Sequence, residues 1–393
     1  MKSNSVSSAN CYPSRSPARI VERFDSQFRE EIARLTKRSK VFEDLLQSFP
    51  GLLIAIVSEY GDEKNRRNAQ RKLVTGGKLR EAAKIFGVPW WLRKLPPEAF
   101  TESLKLLPDT EQFSRQISNL IPENTAEIPE WFRSVSRANE ICHEKFALWV
   151  AKRPVFYKNP DNENYPLELV AAWAWHADQP HTEGFELLKK HWHPRMNSYM
   201  AIEEAKSWYN RSKMAILFGE TELEDTWLSG GEACGYRFSP LRTASDFFAE
   251  SEKMNNCLDQ YADHLKFGDI RVFSVWKDET RVANIEIGAH EDDRSIPTIE
   301  QVRGPQNSRV SPEVWRAAYA WIGSQDFTLY RQMKSASLPQ ERQNYPNRFW
   351  HRYADDMQTK TDQPVDLPVI DLDRSDMLLI RLEAIISEFE TAD

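Results

Sequence analysis

The 393-residue sequence is poor in cysteine. Its four, Cys11, Cys142, Cys234 and Cys257, are scattered without a C-x-x-C pair. That spacing offers neither a disulfide framework nor a Cys-based zinc site, and it fits thiols kept reduced in a cytoplasmic protein. Long apolar runs are missing too. The longest, "GLLIAIV" at 51–57, falls well short of the roughly 20 residues that a membrane span needs. The Ser-rich start "MKSNSVSSANCYPSRSPARI" has no continuous apolar stretch, so no secretory signal is expected. "VTGGK" lacks the spacing of a phosphate-binding loop. Among His176, His181, His191 and His193 no pair has the i, i+4 spacing of a helical zinc site, so solvated or aromatic-packed histidines are expected, with no metal and no cofactor. No paired-carboxylate or Ser-His-Asp signature stands out. The net charge of −7 and pI near 5.8 argue against a whole-surface grip on nucleic acid and leave room only for a local basic patch.

What is present is ample core material: 13 Trp and 20 Phe in a chain that is 40% hydrophobic and 28% charged, a soluble globular composition. After a disordered tail over 1–20, residues 21–229 read as a helical N-terminal region. "VERFDSQFREEIARLTKR" places Phe24, Phe28, Ile32 and Leu35 on one stripe. Gly87 stops one helix, and Trp90 and Trp91 follow as a core anchor between helices. Near Gly230 the character changes. "GYRFSPLRT" reads as a short strand. "ASDFFAESEKMNNCLDQYADHL" reads as one helix, capped by Ser245 or Asp246 and stopped by Gly268. "IRVFSVW" and "RVANIEIG" around the polar "KDET" form a hairpin signature, "SIPTIEQVR" is a third run, and Ser311-Pro312-Glu313 opens another helix. Residues 230–325 therefore form an α+β module with an antiparallel sheet, and 326–393 a C-terminal extension ending in an amphipathic helix, "SDMLLIRLEAIISEFE".

Two sets of residues carry candidate chemistry. The first lies in the module. Phe247, Met254, Leu258, Tyr261 and Leu265 share a helical stripe with Cys257 beside it, so Cys257 is expected mid-helix and mostly buried, a small hydrophobe rather than a nucleophile. Glu286 and Gln301 fall on adjacent strands and Asn307 in the loop after Gly304-Pro305. They are expected to converge at one sheet end near Tyr261, either holding a polar ligand or capping loop backbone. The second set is the run 63–78, where Lys64, Arg66, Arg67, Arg71 and Lys72 could contact phosphates or form a solvated helix face.

The module's residues resemble the PcfJ-like family of mobile genetic elements. "MNNCLDQY", the Gly268-led hairpin, "VANIEI" and "IEQVRGPQN" follow that family's order, matching at Met254, Cys257, Tyr261, Gly268, Glu286, Gln301, Gly304 and Asn307. The chain departs from the pattern where Asn256 stands for His and Asn284 for Thr. The resemblance spans roughly 235–325 and implies a mobile-element or conjugation context, without a reaction. Two functions are compatible with this reading. One is a binding protein acting on nucleic acid or on a protein encoded by the element. The other is an enzyme with Glu286, Gln301, Asn307, Tyr261 and Cys257 at its site.

Overall fold

The computed structural model describes residues 16–158, 167–218, 222–223, 225–289, 296–328 and 330–331. The chain is an α+β protein. It divides into two units: described residues up to 175 with 192–198, and residues 176–191 with those from 199 onward. No described helix is long and apolar enough to cross a membrane.

The first unit is helical. The expected tail over 1–20 ends earlier, because Pro17–Val21 is a helix with Pro17 in its first turn and Ile20 buried; residues 1–15 lie outside the described residues. The stripe expected as one helix is broken before Ser26–Arg38, where the Asp25 side chain caps the new helix by accepting from the Gln27 N–H. Phe24, Phe28, Ile32 and Leu35 are all buried. Gly87 closes Leu79–Phe86 in the left-handed conformation (φ 74°), where glycine has no Cβ to clash. Trp91 is buried, and its indole N–H donates to Pro108 O at 3.3 Å. Trp90 is half-buried, edge-on to Phe49.

The second unit is built on a five-stranded antiparallel sheet in sequential order: β1 Gly231–Ala233, β2 Tyr236–Pro240, β3 Arg271–Lys277, β4 Thr280–Ala289 and β5 Pro297–Arg303. Residues alternate between faces along each strand. One face carries Phe238, Phe273, Val275, Ile285 and Val302 and packs on Trp321 of the Pro312–Gly323 helix. The opposite face carries Val272, Ser274, Asn284, Glu286 and Gln301. Over it lie Ala244–Met254 and Ala262–Lys266, the two helices that link β2 to β3. Met214 and Phe218 of the Ser198–Phe218 helix join this second core with Phe247, Leu258, Leu265 and Val272.

The segment expected as one helix from 244 to 265 is three pieces. Thr243, rather than Ser245 or Asp246, is the N-cap, in a capping box with Asp246. The helix ends at Met254 because Asn255 turns left-handed (φ 49°), a conformation asparagine tolerates better than most residues. A short 3-10 turn, Leu258–Gln260, and then Ala262–Lys266 follow. The C-terminal amphipathic helix expected from the sequence lies outside the described residues. Within the extension, Tyr330 is fully buried in the core around Trp321.

Candidate functional site

Cross-strand register sets the site. Glu286 lies opposite Val272 on β3 and Gln301 on β5, so all three stand on the helix-covered face. The β4–β5 ladder slips between Glu286 and Ile287; Glu300 is the extra residue of this bulge, a device that re-aims neighbouring side chains. From the covering segment, Tyr261 Oη donates to Glu286 Oε1 at 2.7 Å. Gln301 Nε2 donates to the same oxygen and lies 3.5 Å from Tyr261 Oη. Arg303 Nε donates to Gln301 Oε1 at 3.3 Å. Tyr261, Glu286 and Gln301 are each half-buried.

Both protein hydrogen bonds to Glu286 go to Oε1. Among the described residues, none goes to Oε2. Burial pushes the Glu286 carboxyl above its ordinary range, and the negative charge of Glu300 pushes the same way; Tyr261, Gln301 and nearby His264 oppose the shift. Tyr261 is pushed up strongly by burial and by the Glu286 charge, so it stays a neutral donor.

Cys257 is exposed and lies in the bend before the 3-10 turn, which corrects the expectation of a buried, mid-helix thiol. The cause is the Asn255 break, which rotates Cys257 out while Met254 and Leu258 on either side stay buried. The residue is open by surface area, yet protein atoms crowd its sulfur. That loss of solvent, reinforced by Asp259 and Glu286, pushes the thiol up, away from a reactive thiolate. Asn307 is exposed, with φ 56°, and does not join the cluster. Gln301 faces Glu286, but Arg303 already faces Asn284, so the chain has moved toward the other end of β4 before it reaches the Pro305–Asn307 turn.

Several residues that shape the site carry no local signal in the sequence. Glu250 is almost fully buried. Its Oε1 accepts from Ser274 Oγ and Asn284 Nδ2, both at 2.7 Å, and its Oε2 from Arg281 Nε at 2.7 Å. Asn256 Nδ2 donates to Asn284 Oδ1 at 2.8 Å, so the two positions that depart from the PcfJ-like pattern touch each other. Asp259, with no exposure, holds the turn that bears Cys257 and Tyr261: its Oδ2 pairs with Arg211 Nη1 at 2.8 Å and Lys189 Nζ at 2.5 Å. The Asn255-Asn256 pair is the one readable cue, since such residues favour turns.

The basic run lies in the other unit, on the Glu63–Val74 helix. Lys64, Arg67 and Arg71 are exposed; Arg66 and Lys72 are half-buried. Carboxylates already engage three of them: Arg66 with Glu59, Arg67 with Glu63, and Lys72 with Glu81 at 2.9 Å. His176 is buried against the Trp208 ring, centroids 5.0 Å apart, and His181, His191 and His193 are exposed. Among the described residues no group of three or more His, Cys, Asp or Glu could hold a metal ion. Comparison of the chain with protein-family models, curated proteins and solved structures gives no match.

Proposed function

We propose that the protein is a PcfJ-like binding protein of a mobile genetic element, working in the cytoplasm on a nucleic-acid or protein partner, and that its α+β unit takes a polar group of that partner at Tyr261, Glu286 and Gln301. One observation carries the reading. A half-buried carboxylate has one oxygen filled by two protein donors and the other with none among the described residues. The second oxygen is not enclosed, so a partner hydroxyl, amine or amide N–H can reach it and donate there. The resemblance over 235–325 supports the mobile-element context. The test is recovery of partners from the host with tagged protein: wild type is expected to retain a ligand or partner that Glu286→Gln loses, at a melting temperature no lower than that of wild type. Equal recovery by both proteins would sink the proposal.

A second reading, an enzyme, draws on the raised Glu286 carboxyl, since a carboxyl displaced toward neutrality suits general acid–base work. If a captured ligand is turned over, the rate should show a pH limb that disappears in Glu286→Gln. A limb that persists would exclude Glu286 as the acid or base.

A further inference from the structure

The hairpin end of the sheet carries a second surface, apart from Glu286. Arg237 on β2, Trp276 on β3 and Arg281 on β4 form one cross-strand row: Arg237 pairs in register with Trp276, and Trp276 with Arg281. An irregularity between Val275 and Trp276 creates this row by bringing Arg281 opposite the indole in place of Val282. The Arg281 guanidinium sits 4.2 Å and that of Arg237 5.0 Å from the Trp276 ring centroid. One residue on, and so on the opposite face of the sheet, Lys277 Nζ lies 5.4 Å from the Tyr236 ring. Two guanidinium groups are thus laid on one indole on one face of this strand end, and the Lys277 ammonium on the Tyr236 ring on the other face. Arg237 and Lys277 are exposed, and Trp276 and Arg281 half-buried. Among the described residues, only Arg281 of the three cations is in an ion pair, through its Nε with Glu250. Glu232, opposite Arg237 across the β1–β2 ladder, makes no ion pair with it.

We propose that the face bearing Arg237, Trp276 and Arg281 binds single-stranded nucleic acid. Stacking on the ring fixes each guanidinium plane in advance, so little side-chain freedom remains to be lost on binding. The outer guanidinium faces can stack on bases while their edges donate to phosphates, the combination of aromatic and cationic groups that single strands use. An acidic peptide would use only the charges and leave the flat stacking faces idle. The proposal rests on the reading of the chain as a binding protein and is independent of the Glu286 cluster.

The test is fluorescence anisotropy of a labelled oligothymidylate of about 15 nucleotides, within the site sizes of single-strand binders, titrated with full-length protein at several salt concentrations. Wild type should bind at low salt. Arg237→Glu, exposed and so expected to leave melting unchanged, should weaken binding about tenfold or more and flatten the log–log salt slope by about 0.7 for each phosphate no longer neutralised, while Lys277→Glu, on the opposite face, should change little. Arg67→Glu with Arg71→Glu, on the other basic face, should change little. No binding at low salt, unchanged affinity in Arg237→Glu, weakening only in the Arg67/Arg71 variant, or equally tight binding of an oligoglutamate would each overturn the proposal. Because Glu286 is untouched in all of these variants, failure here is separable from failure of the partner-recovery test.

Discussion

The polar face of the sheet has two ends, each centred on a carboxylate, and they are built on opposite principles. At one end Glu250 is almost fully buried, and each oxygen has protein donors: Ser274 and Asn284 on Oε1, the Arg281 cation on Oε2. At the other, Glu286 is half-buried, no cation among the described residues bonds to it, and both donors converge on Oε1. A buried charge that is paired and fully hydrogen-bonded belongs to the architecture. A half-buried carboxylate whose charge burial disfavours, and whose second oxygen reaches solvent with no described protein donor, is open to an outside partner, and perturbed carboxylates of this kind concentrate at functional sites. The comparison separates a structural carboxylate from a candidate functional one, although both serve the same strands.

The largest expected effect calibrates the scale from the apolar face. Trp321 is fully buried, stacked on Phe238 at 4.7 Å and near Phe273 at 4.8 Å, so Trp321→Ala should cost about 3–5 kcal/mol in chemical denaturation. A loss below about 1 kcal/mol would mean that this core contributes little. Next comes Glu250→Gln. Whichever way the new amide turns, its NH2 meets a donor, either Arg281 Nε or the Ser274 and Asn284 groups. A loss of about 2–3 kcal/mol follows from breaking charge-assisted hydrogen bonds in a buried site. Full stability in that variant would erase the distinction between the two ends.

A smaller effect is expected at Cys257. The residue is exposed, so Cys257→Ser should stay within about 0.5 kcal/mol of wild type. Native protein should react with a thiol reagent at Cys257, which peptide mass mapping would show, but more slowly than a free thiol at the same pH, because burial of the sulfur pushes its pKa up. Labelling only after unfolding would restore the buried reading.

How much of this is legible in the sequence follows the range of the interactions involved. Strand runs and the apolar stripe depend on local alternation, so β3, β4 and β5 and the burial of Phe247, Met254, Leu258 and Leu265 are readable. Tyr261, Glu286 and Gln301 stand out because the two strands can be aligned. Cys257 is misplaced when a continuous helix is extended across Asn255-Asn256, where two turn-forming side chains outweigh the apolar period. Asn307 is misplaced when the turn after Gly304 is taken to fold back over Gln301, whereas the β4–β5 register carries it away. Glu250 and Asp259 are not legible at all. Their meaning comes from partners between 24 and 70 residues away in the chain, such as Ser274 for Glu250 and Lys189 for Asp259.

The central claim, that Glu286 is held for function and Glu250 for structure, is tested most directly by the melting temperature of Glu286→Gln across pH. The substitution keeps the acceptor for Tyr261 and Gln301 and places its NH2 at Oε2, where no described protein donor stands. Because burial raises the folded-state value of Glu286 above 4.5, folding favours the protonated acid. Its contribution to stability is present below that ordinary value and is lost as pH rises through the raised one. Glu286→Gln should therefore melt at or above wild type at pH 7, with its advantage growing as pH climbs from acid through the raised value. A melting temperature that falls at pH 7 as far as that of Glu250→Gln, or an advantage that shrinks with rising pH, would contradict the account.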